Sequence, residues 1–101
     1  MKMVIVDATV AESGDAQSRI QLLQESGWEV FLIPSLDEKA EGRMIKCVQA
    51  ATHKVAVLRS CHPRAQAFRD LGCTIRHAFD ERAMMVATEC LLPALATEES
   101  A

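Results

Sequence analysis

Aromatic residues are scarce in this chain, making up 4% of its 101 residues, although 50% are hydrophobic. The core must therefore be packed by Ala, Val, Ile, Leu and Met. Apolar runs of membrane-spanning length are missing, and the opening stretch 1–6 is too short for a signal peptide, so a cytoplasmic domain is expected. Short, paired cysteine spacings are missing too. Cys47, Cys61, Cys73 and Cys90 fall without pattern in a chain apolar enough to build its own core, which argues against a secreted disulfide scaffold and for reduced thiols. Repeats, linkers and low-complexity segments are absent, and the length allows one domain, 1–101, with 97–101 expected to fray.

Charge is present but uneven. Residues 1–38 hold two bases against seven acids, residues 39–82 hold nine bases against four acids, and residues 83–101 add three acids and no base. All three histidines lie in the basic middle. Such a stretch serves either as solvated helix faces or as a surface for anions, including an RNA or DNA backbone.

Four short apolar segments alternate with helical patterns. Residues 3–6 read as a first strand ending on Asp7, followed by a loop at 10–14 and a helix over 16–26 capped by Ser13 or Asp15, with Ile20, Leu22 and Leu23 inward. Gly27 stops that helix, 28–33 reads as a second strand closed by Pro34, and Ser35 or Asp37 starts a helix through about 51. Residues 54–58 read as a third strand whose apolar run Val55-Ala56-Val57-Leu58 is that of a strand covered on both faces, and it is expected to be central. Pro63 is placed in the first turn of a third helix that Gly72 ends. A fourth strand over 73–77 leads to Asp80, Glu81 and a last helix from 82 to 92 or beyond, interrupted by Pro93. The alternation predicts a three-layer, Rossmann-like α/β fold with a mainly parallel four-stranded sheet, whose carboxyl edge should carry Asp7, Ser60 and His77.

Most of the chain resembles the short PIN-like and NYN-like nuclease domains. The resemblance rests on Val6-Asp7 closing a first strand, the helix ended by Gly27, the strand at 30–33, and an acid-led helix running into an apolar strand. The step Phe68-Arg69-Asp70-Leu71-Gly72-Cys73 is also similar to the one after the last acid of those domains. That family has a second acid opening the helix before the third strand and a third acid after that strand; the matching positions here are Gly42 or Arg43, and Ser60 or Cys61. The resemblance therefore implies a catalytically depleted domain that binds nucleic acid or a protein. Its alternative is an active ribonuclease using Asp7 and Glu41 on Mg²⁺ or Mn²⁺, with further acids from Asp80 or a dimer mate. A second resemblance is to response-regulator receiver domains, through Val4-Ile5-Val6-Asp7, the stretch 20–30 and Phe79-Asp80-Glu81. Receivers carry paired acids after the first strand, a phosphorylated Asp after the third and a Lys after the last. Ala8, Ser60 or Cys61, and His77 stand at those positions, so this resemblance implies a pseudo-receiver that binds partners without the phosphorylation switch.

Further candidate sites come from the residues themselves. Arg59, Ser60, His62 and Arg64 surround the opening of the third helix and would form an anion or nucleic-acid site. Cys61 in the same turn is a thiol candidate, set against a small cysteine filling the strand end. No metal site is expected, because Cys61, His62, Cys73 and His77 lack paired ligand spacing. The last helix is apolar around more than one face, so either Met84, Met85, Leu91 and Leu92 face a homodimer mate or a protein partner, or the short fourth strand makes an edge contact, unless the helix packs into a corner.

Overall fold

The computed structural model describes residues 1–92. Strands β1 (Lys2–Asp7), β2 (Trp28–Ile33), β3 (His53–Leu58) and β4 (Thr74–His77) alternate with helices α1 (Gly14–Glu25), α2 (Glu38–Ala50), α3 (Ala65–Asp70) and α4 (Glu81–Glu89). All pairings are parallel, in the order β2-β1-β3-β4. The expected tail at 97–101 and the break at Pro93 lie outside the described residues.

β1 sits inside the sheet, and Met3, Val4, Ile5 and Val6 are all fully buried. Its alternate side chains feed two cores. Met3 and Ile5 meet Phe31, Met44, Val48, Leu58 and Phe68 under α2 and α3. Val4 and Val6 meet Ile20, Leu23, Val57 and Met84 under α1 and α4. Burying each of these aliphatic side chains contributes about 1.5–3 kcal/mol, and the two-sided cover explains the unbroken apolar runs of β1 and β3.

Helix starts follow local chemistry. Ser13, Asp37 and Asp80 accept hydrogen bonds from the amides of Ala16, Ala40 and Ala83, resolving the choices of cap in favour of Ser13 and Asp37. Gly27 and Gly72 adopt φ of +93° and +91° where the chain leaves α1 and α3. Three expectations are corrected. Leu22 is half-exposed, because two residues from Ile20 is about 200° around a helix; the inward row is Ala16, Ile20 and Leu23. Pro63 precedes α3 instead of opening it, since His62–Arg64 form a turn closed by the Ala65 N–H on the His62 carbonyl at 3.1 Å. The loop after β1 begins with a 3-10 turn, Ala8–Val10, that no periodicity marked.

The interaction face expected on α4 is also corrected. Met84 is fully buried, and Met85, Leu91 and Leu92 pack against the same core. The helix lies in the corner beside α1, where Arg19 Nη1 donates to the Met85 carbonyl at 3.0 Å and Trp28 Nε1 donates to the Leu91 carbonyl at 3.0 Å. The Thr88 hydroxyl also donates to the Met85 carbonyl, at 3.2 Å. The apolar side chains left in solvent nearby are Phe79 and Val86.

Candidate functional site

In open parallel sheets ligands favour the crevice where strand order reverses, outside the carboxyl ends of the strands. Here that point lies between β1 and β3, whose following helices cover opposite faces. Asp7 ends β1 at this crevice and is 1% exposed, with Arg59 directly after β3.

The buried carboxylate is fully engaged. One oxygen, Oδ1, accepts from the Thr9 amide at 3.0 Å and the Thr9 hydroxyl at 2.7 Å, closing the turn after β1. The other, Oδ2, accepts a long bond from the Arg59 amide at 3.5 Å, lies 3.4 Å from Arg59 Nε and faces His62 Nε2 at 3.8 Å. Burial alone would raise the Asp7 pKa; the Thr9 hydroxyl and amide, then the Arg59 amide and guanidinium, outweigh it and hold the carboxyl below its ordinary 3.8. Asp7 is thus an anion neutralised from within.

His62 is reached by an unusual turn. Cys61 adopts φ +60°, a left-handed conformation that costs a non-glycine residue about 1 kcal/mol, and the His62 side chain behind it is only 9% exposed. Its Nδ1 accepts from the Arg64 amide at 3.1 Å, which leaves the proton of the neutral ring on Nε2, facing Asp7. Burial is the largest influence on this ring and lowers its pKa; Asp7 opposes, Arg59 and Arg64 reinforce, and the net is below the ordinary 6.5. With both nitrogens occupied, His62 has none left to deprotonate the exposed Cys61 beside it.

The remaining candidates are separated. Glu41 pairs with Arg64, whose guanidinium also lies 4.9 Å from the Phe68 ring centre, so Glu41 and Asp7 hold different partners. Arg59 and Arg64, expected to converge as free cations, each face a carboxylate, and α3 behind them is only six residues long. Ser60 and His77 are exposed at the same sheet edge. Asp80 caps α4, and Glu81 Oε1 accepts from the amides of Glu12 and Ser13 at 2.6 Å each, tying α4 to the start of α1. Cys73 is buried and its thiol is pushed above the ordinary 9.0 by that burial, with Lys54 offsetting part of the effect. Among the described residues no three His, Cys, Asp or Glu side chains are grouped to hold a metal ion.

Sequence reasoning places Asp7 as the one acid near Arg59 and Arg64, but gives neither its pairing with Arg59 nor the approach of His62. The pattern Asp7-Ala8-Thr9 is a side-chain-to-backbone turn signal that could have revealed the Thr9 contacts. Arg64 with Glu41, and Glu81 with the 12–13 amides, join residues 23 and 68–69 positions apart and left no local signal. The sequence matches no family model, no curated protein and no solved structure.

Proposed function

We propose that this chain is a non-catalytic α/β domain that works by binding a protein partner. One observation carries the reading: the four acids singled out for chemistry, Asp7, Glu41, Asp80 and Glu81, already have partners inside the molecule, and among the described residues no three His, Cys, Asp or Glu side chains are grouped to hold a metal ion. Asp7 is held by Thr9, Arg59 and His62, Glu41 by Arg64, Asp80 by the Ala83 amide and Glu81 by the loop before α1. Metal-assisted phosphodiester hydrolysis needs several carboxylates free to hold Mg²⁺ or Mn²⁺ against a water and the leaving oxygen. The PIN-like resemblance is therefore read as one of scaffold, and the pseudo-receiver reading leads to the same class of function.

Of the two macromolecular partners, protein is favoured over nucleic acid because Arg59 and Arg64 are cancelled by adjacent carboxylates. The basic positions left on one helix face are Lys39, Arg43 and Lys46 of α2, all exposed. Purified protein should neither cleave single-stranded RNA or DNA with Mg²⁺ or Mn²⁺ nor bind a fluorescent oligonucleotide saturably at low salt. Cleavage abolished by Asp7→Asn would establish the ribonuclease alternative. Salt-sensitive binding lost in Lys39→Ala/Arg43→Ala/Lys46→Ala would establish a nucleic-acid partner.

A further inference from the structure

β4 is an edge strand: among the described residues it pairs only with β3. The outward N–H and C=O groups of Thr74–His77 therefore form a short template for another strand. Beside that edge runs a groove of about 600 Å³ between β4 and α4, lined by Ile75, Arg76, His77, Val86, Ala87 and Cys90. Val86 is 65% exposed and Phe79, in the connection between the two elements, is 82% exposed. An exposed apolar side chain, Val86, lining a groove beside an open sheet edge is a setting for strand addition, in which backbone bonds give affinity and side-chain grooves give selectivity.

Charge decides the occupant. The groove lining includes Arg76 and His77 and no carboxylate, whereas Asp80 nearby is engaged as the cap of α4. A second copy adding antiparallel to the same edge, centred on Arg76, would set Arg76 against its own counterpart, and like charges opposite one another weaken a strand pair. An acidic segment meets no such cost. Resting on the reading of the chain as a protein-binding domain, we propose that the β4–α4 groove takes an extended segment of another protein. That segment pairs with β4, places an apolar side chain against Val86, and sets Asp or Glu opposite Arg76.

The test uses the full chain as bait for a random linear peptide library, followed by fluorescence anisotropy with one labelled recovered peptide. Recovered sequences should be rich in Asp, Glu and apolar residues and poor in Lys and Arg. Their affinity should fall about tenfold or more in Arg76→Glu or Val86→Asp, should weaken with salt, and should survive Gln49→Glu on α2. Amides of β4 should gain protection from hydrogen exchange when peptide binds. Arg76 and Val86 are exposed, so both variants should melt with wild type, and melting curves check this. Basic peptides, or peptides whose binding ignores both variants, would overturn the docking site while leaving a protein-binding domain standing. Self-association by sedimentation that Val86→Asp abolishes, with no peptide recovered, would make a second copy the occupant. An oligonucleotide that binds where no peptide does would overturn the docking site and the protein-binding reading together.

Discussion

The carboxyl edge around Asp7 and the β4–α4 side are both places where a parallel α/β domain ordinarily meets other molecules, and they are finished in opposite ways. At the carboxyl edge the charged groups answer one another: the crevice at the reversal of strand order is occupied by the protein's own Asp7, Thr9, Arg59 and His62. On the β4–α4 side the backbone edge is open among the described residues, and Phe79 and Val86 stand in solvent. Position in the fold nominates a site, but the state of its polar groups decides whether the site can do work on anything else. A carboxylate held by three neighbouring residues stabilises the fold; an unpaired edge beside an exposed apolar side chain is available to a partner.

The largest effect expected from this comparison lies within α4. Met84→Ala should cost about 2–5 kcal/mol, the usual range for emptying a packed core site, whereas Val86→Ala should stay within about 0.5 kcal/mol. In a domain of this size that difference is a Tm gap of about 6 °C or more. Urea denaturation of the two variants measures it, and comparable losses would mean that the face of α4 assigned to solvent is buried in the protein.

Next in size is the carboxyl edge itself. Asp7→Ala removes a buried acceptor from Thr9 and the counter-charge of Arg59 and should cost about 2–3 kcal/mol. Arg59→Ala should cost less, because the Arg59 side chain is 55% exposed and water screens its charge. If Asp7→Ala were neutral or stabilising in the same denaturation experiment, the carboxylate would be a strained group retained for another purpose, and the closed-edge description would fail.

How far the sequence could reveal these two regions follows from the range of the interactions in each. Alternating strands and helices, the glycine stops at Gly27 and Gly72 and the caps at Ser13 and Asp37 are local and were readable, so the parallel sheet was too. Parallel pairing alone implies that Asp7, Ser60 and His77 share one edge. The closure of that edge was hidden because Arg59 and His62 reach Asp7 across more than fifty residues, through a left-handed Cys61 that no composition rule anticipates. The burial of Met84 was hidden for a related reason. Apolarity around α4 has the same sequence signature whether the extra surface meets a partner or the neighbouring α1, and it took Arg19 and Trp28, bonded to the carbonyls of Met85 and Leu91, to hold the helix in the corner.

The smallest effect concerns pH and sharpens the same contrast. His62 titrates below its ordinary 6.5 in the folded chain, chiefly because it is buried, with Arg59 and Arg64 adding to the effect and Asp7 opposing it. The Arg64 amide points at Nδ1, so a proton arriving there would set donor against donor. The unfolded chain lacks these constraints and binds a proton on this ring more readily than the folded chain does. Stability from this group is therefore complete above 6.5 and declines as pH falls from 6.5 through the lower folded value. Asp7 has the same sign in a more acidic window, because its folded pKa lies below 3.8; its contribution declines only as pH falls beneath that value. Thermal melts between pH 7 and 5 should show Tm decreasing on acidification in wild type. In His62→Asn, whose side-chain oxygen can still accept from the Arg64 amide but does not titrate, the decrease should be smaller. A rise in Tm on acidification that His62→Asn removes would mean that an imidazolium paired with Asp7 is the preferred folded form, and the neutral, internally satisfied edge would have to be redrawn as a charged one.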